Sequence, residues 1–139
     1  MHSVTLTARN TFEDLARIQR EAERLLAQYG ADQDVGYRVR LAIEELVSNV
    51  IRHAYEDTRP HDIRVTVDVT RDAIAVVVDD DGRPFDPSGR GELPTPASLH
   101  EAPTSGMGLA LVEQMAGPIR YERKDDRNRV TVTIPRDGG

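Results

Sequence analysis

The sequence predicts an α/β fold: a two-layer sandwich in which helices pack on one face of a mixed, mainly antiparallel sheet. Three observations predict it. Two long stretches near the N-terminus carry apolar residues at helical spacing, later segments alternate apolar and polar with period two, and helices and strands arrive in blocks, not as a strict strand–helix repeat. With 139 residues the chain is expected to form a single domain, 1–139, around a single core.

The segment SVTLTA is a short first strand. Residues 11–29 place Leu15, Ile18, Ala22, Leu25, Leu26 and Tyr29 on one helical face, with Thr11 as N-cap and Gly30 as stop. A second helix runs from about Asp34 to Ala54 through Val39, Ala42, Ile43, Leu46, Val47, Val50 and Ile51. In IRVTVDVT, Ile63, Val65, Val67 and Val69 alternate with polar residues, and a break at Arg71 and Asp72 leads into AIAVVVDD, so a hairpin is expected. Residues 86–105 hold four prolines and two glycines without periodicity and form a long loop, of the kind used as a functional lid. SGMGLALVEQMAG reads as a glycine-rich turn opening a short helix, and one or two strands follow, the last in NRVTVTIP.

Composition excludes several functions. A net charge of -6 argues against a protein that grips nucleic-acid phosphates, which needs a cationic face. Without cysteine there is neither a disulfide framework nor a thiolate zinc site, and no apolar run approaches a membrane span. The N-terminus lacks the basic and apolar stretches of a signal peptide. A soluble cytoplasmic domain is the simplest expectation.

The chemistry-bearing residues fall in three places. The first is AVVVDDDGRPFDP, where a strand runs into three aspartates. Alternation puts Asp80 in phase with Ile74, Val76 and Val78, toward the layer between sheet and helices, and leaves Asp79 and Asp81 as solvated flanks. Gly82 then allows a close backbone turn. Three adjacent aspartates do not have the alternate spacing of a calcium loop. The second place is LAIEELVSNVIRHAY, where Glu45, Asn49 and His53 stand at i, i+4 and i+8 and form a polar stripe about 80° wide. The third is SGMG, where Gly106 and Gly108 offer backbone amides near a helix N-terminus, an arrangement suited to an anion. The chain has neither the P-loop signature nor the Rossmann glycine pattern.

These elements, in this order and separated by a proline-rich lid, resemble the GHKL (Bergerat-fold) ATPases: an N box in EELVSNVIRHAY, a first glycine box in DDGRPF and a second in SGMGLAL. Within that superfamily the chain most resembles the RsbW-like anti-sigma-factor serine kinases, the switch kinases of partner-switching systems. The resemblance covers roughly residues 34–135. It implies ATP and Mg2+ as cofactors. Asp80 would accept from the exocyclic amine of adenine beside Gly82, Asn49 would ligate magnesium on the phosphates, and Glu45 would take or orient the proton of the attacking hydroxyl. His53 would lie near the phosphates or serve a structural hydrogen bond. Ser105, Gly106, Met107, Gly108 and Leu109 would hold the phosphates, and Thr131 would reach the adenine side. Two departures stand out. Pro84 replaces the second glycine of the general box, and Thr104 stands where several members carry a base, leaving Arg83 or Arg90 as substitutes.

By the same resemblance the partners are a STAS-domain antagonist carrying the phosphoacceptor serine or threonine, a sigma factor or other regulator, and a second copy of the chain, with no nucleic acid and no membrane. Two alternatives remain beside the kinase: a nucleotide-gated binding module, and a stand-alone ATPase domain of the histidine-kinase type. The latter lacks a helical hairpin for a phosphoacceptor, since His100 sits among prolines.

Overall fold

The computed structural model describes residues 2–84 and 103–136. Its elements run β1 (His2–Arg9), α1 (Phe12–Gln28), α2 (Gln33–His53), β2 (Asp62–Val69), β3 (Ala73–Asp80), α3 (Pro103–Met115), β4 (Arg120–Lys124) and β5 (Arg127–Pro135). The strands form one sheet of order β1-β2-β3-β5-β4. Every pairing among them is antiparallel, so the described sheet contains no parallel member of the expected mixture.

Local chemistry explains each boundary. Thr11 caps α1 by accepting the Asp14 amide at 3.2 Å, and Gly30 ends it at a φ of 70°, in the left-handed region that glycine enters without penalty. Asp32 caps α2, accepting from the Val35 amide at 2.8 Å. The β2–β3 hairpin turns at Arg71 and Asp72 and is closed by the Thr70 amide on the Ala73 carbonyl at 2.9 Å. Asp125 and Asp126 form the β4–β5 turn with φ of 53° and 61°, the paired left-handed conformation that suits the twist of a hairpin.

The core lies between sheet and helices. Ile63, Val65 and Val67 of β2, Ile74, Val76 and Val78 of β3, and Val132 and Ile134 of β5 are fully buried on one face, against Leu15, Ile18 and Ala22 of α1 and Val39, Ala42, Ile43, Leu46 and Val47 of α2. With no tryptophan and few aromatics, aliphatic burial of about 1.5–3 kcal/mol per large side chain drives the assembly. The alternate face of the sheet carries Arg64, Asp79, Arg129 and threonines.

The glycine-rich segment differs from the turn expected there: the helix opens at Pro103, and Ser105 through Leu109 lie inside it. Proline is well suited to a first helical position, because its missing N–H would have no partner there. Of the expected lid, 86–105, residues 103–105 are helical and the remainder lies outside the described residues. No described helix is long and apolar enough to cross a membrane.

Candidate active site

β3 ends where the C-terminus of α2 begins to turn away. The Arg83 amide donates to the Ala54 carbonyl at 2.9 Å, and the Arg83 Nε donates to the His53 carbonyl at 2.7 Å. Gly82 lies so close to Ala54 that any Cβ there would overlap backbone. The first glycine box is thus pinned to one end of the polar stripe. At the other end α3 rests on Glu45, since a Cβ on Gly108 would overlap the Glu45 carboxylate. Eight residues of helix separate Glu45 from His53, about 12 Å at helical rise.

The strand register holds. Asp80 is 2% exposed, in line with Ile74, Val76 and Val78. Its Oδ1 accepts from the Gly82 amide at 2.8 Å and from Asn128 Nδ2 at 3.0 Å, and its Oδ2 has no hydrogen bond to any described residue. Burial raises the Asp80 carboxyl above the usual range, opposed by the Asn128 and Gly82 bonds and reinforced by Asp79 and Asp81. Asn49 is 4% exposed, yet its side-chain amide likewise has no hydrogen-bond partner among the described residues. An amide on a residue this enclosed is available to a ligand. Glu45 is only partly buried, and its carboxyl is raised first by desolvation and then by Glu44, with Arg52 opposing. His53 is lowered by burial and by Arg83 and Arg52, which favours the neutral imidazole.

Other expectations are corrected. Thr131 pairs with Val77 and Arg120 and alternates onto the face carrying Arg129 and Thr133, opposite to Asp80, so the sheet turns it away from the site. The helix that starts at Pro103 leaves Ser105 in its first turn, whereas Gly106, Met107, Gly108 and Leu109 lie where amides bond back along the helix. Asp79 and Asp81 are not merely solvated flanks. Arg127 Nε bonds Asp79 Oδ1 at 2.5 Å and Arg129 lies 3.4 Å from Oδ2, because β5 runs beside β3 in that register. Asp81 accepts from the Tyr55 hydroxyl at 2.8 Å, and the Tyr55 ring stacks on His61 at 3.9 Å, which ties the α2–β2 loop to the strand end. Arg83 is committed to the end of α2, with Glu56 3.7 Å away. Arg90 lies outside the described residues.

Asn128, which sequence reasoning missed, stands directly opposite Asp80 in the β3–β5 register and is 1% exposed. The available signal was its phase: in NRVTVTIP it falls in step with Val130, Val132 and Ile134, a polar residue on the buried side of the last strand.

Comparison with known proteins identifies the family. Residues 8–134 match the histidine kinase-like ATPase domain family. The chain belongs to that family. Among its relatives is the serine/threonine-protein kinase BtrW of Bordetella bronchiseptica, 29% identical over 97 residues that cover 70% of this chain and 68% of BtrW. Another is the anti-sigma F factor of Clostridium perfringens, 25% identical over 124 residues covering 88% of this chain and 87% of the relative. Against the Bacillus serine-protein kinases named RsbW the chain spans 55–61% of the relative's length. The same fold occurs in the crystal structure of the RsbU and RsbW domains of a Mycobacterium tuberculosis protein, with a TM-score of 0.68 and 19% identity over 96% of this chain and 32% of that one. The stretches that resemble the N box and the two glycine boxes lie on α2, at the end of β3 and in α3.

Proposed function

We propose that this chain is an ATP-dependent serine/threonine protein kinase that phosphorylates a STAS-type antagonist and captures a sigma factor or equivalent regulator in a cytoplasmic partner-switching system. One observation carries the reading: on α2 and at the end of β3, the side chains of two buried residues, the Asn49 amide and Asp80 Oδ2, have no hydrogen-bond partner among the described residues. Both match what a nucleotide supplies. The names of the relatives, a serine/threonine-protein kinase and an anti-sigma F factor, support the choice of acceptor and partner.

Asp80 accepts from the exocyclic amine of adenine. Guanine presents a carbonyl oxygen there, and two facing acceptors cost about 1–3 kcal/mol, so ATP is preferred over GTP. Asn49 would offer an oxygen to magnesium bound with the nucleotide, an ion that needs few protein ligands and would supply charge neutralisation for transfer. Among the described residues no group of His, Asp and Glu is gathered that would hold a metal without the nucleotide. Ser105, in the opening turn of α3, supplies a backbone amide to the phosphates.

Glu45 stands eight residues before His53, at the phosphate end of the stripe. As the acceptor hydroxyl attacks the γ-phosphorus, its proton passes to the Glu45 carboxylate. The bond from the γ-phosphorus to the β–γ bridging oxygen breaks, and ADP leaves. A carboxyl raised by burial is a better match to this proton than an ordinary one.

The test is direct. The protein is incubated with γ-labelled ATP, magnesium and a cognate STAS protein; label on the antagonist supports the kinase. Nucleotide binding without transfer leaves a nucleotide-gated binding module, and absence of ATP binding overturns both readings.

A further inference from the structure

We propose that Asn128 is the positioning residue that makes Asp80 an adenine-specific acceptor: it fills one carboxylate oxygen, fixes the carboxylate plane and leaves the other oxygen for the base. This rests on the reading of Asp80 as the adenine acceptor.

The side chain of Asn128 is loaded at both ends. Its Oδ1 accepts from the Tyr121 hydroxyl at 2.7 Å and from Arg123 Nη1 at 3.1 Å. Its Nδ2 donates to Asp80 Oδ1 at 3.0 Å and to the Arg83 carbonyl at 2.8 Å. The amide therefore has one orientation: reversed, its NH2 would face a guanidinium that has no acceptor, and its oxygen would face a carboxylate. Arg123 Nη1 also donates to the Gly82 carbonyl at 2.7 Å, so one guanidinium holds both the amide and the turn that follows Asp80.

Consequences for Asp80 follow from counting acceptor sites. Oδ1 is occupied by Gly82 and Asn128, and Oδ2 is the oxygen left to a ligand. A carboxylate this buried tends toward its protonated form. Asp79 on its own strand and Asp81 just past its end push the same way, against the donors Asn128 and Gly82; the cations Arg83, Arg123 and Arg127 lie on the neighbouring turn and strands. Selectivity depends on which side wins. An ionised Asp80 only accepts and repels the guanine carbonyl; a protonated one can donate to that carbonyl and loses the distinction. Asn128, as the direct side-chain donor, keeps Asp80 on the accepting side.

The experiment measures Kd for MgATP and MgGTP between pH 6 and 8 for wild type, Asn128→Leu, Asn128→Asp and Tyr121→Phe, with thermal melting of each. Leucine of similar volume is expected to weaken ATP binding about tenfold or more and to shrink the ATP-to-GTP ratio, most at the acid end. Aspartate, which places a second carboxylate opposite Asp80, is expected to move the ATP-binding profile to higher pH even if the leucine variant does not fold. Tyr121→Phe leaves Arg123 on Oδ1 and is expected to lose less than either. Variants that melt cooperatively but bind ATP as wild type does, or lose ATP and GTP equally with an unchanged pH profile, overturn the proposal. A wild-type protein that binds no ATP removes the underlying adenine reading instead.

Discussion

Gly108 is the point at which α3 rests on Glu45: a Cβ there would occupy the space of the Glu45 carboxylate. A glycine inside a helix costs about 1 kcal/mol relative to alanine, and this contact accounts for a residue without a side chain at the position. The obstacle is the end of a flexible side chain, which can swing away. Gly108→Ala is therefore expected to preserve or slightly raise the melting temperature while reducing phosphoryl transfer by roughly tenfold to a hundredfold, because Glu45 is displaced. Calorimetry and a transfer assay on the same preparation check the two halves.

Gly82 predicts the opposite pattern. The atoms a Cβ would meet belong to the Ala54 backbone and Cβ, and neither can swing aside. Gly82→Ala should destabilise the protein by about 1–3 kcal/mol, read from urea unfolding, and should weaken nucleotide binding as well because the turn beside Asp80 shifts.

Asp80→Asn separates binding from stability. Because burial raises the Asp80 pKa, the stability this group contributes is full below the unfolded carboxylate value and lost as pH rises through the folded value. At pH 7 the charged form is a burden on the folded protein. Asparagine keeps an oxygen for Gly82 and Asn128 but carries no charge, so the variant should melt higher than wild type at pH 7, with the margin closing as pH falls through the carboxylate range. ATP affinity should drop about tenfold to a hundredfold, the value of a hydrogen bond to a charged acceptor.

Glu45 sets a pH dependence of transfer. Its pKa lies above the usual 4.5, chiefly through desolvation, and the base acts only when deprotonated. Single-turnover transfer should rise with pH across and above the ordinary carboxylate range and then level off, and in Glu45→Gln the residual rate should lose that rise.

The β4–β5 turn offers a stability test remote from the site. Asp125 and Asp126 both hold positive φ, a conformation glycine adopts more readily. Asp126→Gly should stabilise by about 0.5–1 kcal/mol in urea unfolding without changing ATP affinity.

Much of this was legible in the chain. Periodicity located α1, α2 and the β2–β3 hairpin, and a strand count picked Asp80 from three aspartates, because each signal is local. What escaped depended on distant partners. Asp79 looked like a solvated flank because Arg127 and Arg129, which hold it, lie 48 and 50 positions away. The family resemblance points Thr131 toward the base, whereas its own alternation turns it to the opposite face, and that same alternation marks Asn128. RYERK, the β4 strand, has one apolar residue, Tyr121, so its pattern is faint; as an edge strand it is held mainly by its pairing with β5. In the second glycine box, composition suggested a turn, whereas Pro103 starts a helix and Glu45 explains a glycine within it.

Whether Glu45 serves transfer to a hydroxyl, in a site where Asp80 holds adenine, is read from the chemical stability of the transferred phosphate. Wild type and Glu45→Gln are incubated with γ-labelled ATP, magnesium and the STAS antagonist, and the product is treated with acid, which cleaves phosphohistidine and spares phosphoserine and phosphothreonine. Acid-stable label on the antagonist is expected with wild type and a large loss with Glu45→Gln, while both proteins bind ATP alike. Acid-labile label, or equal transfer by the two proteins, would contradict it.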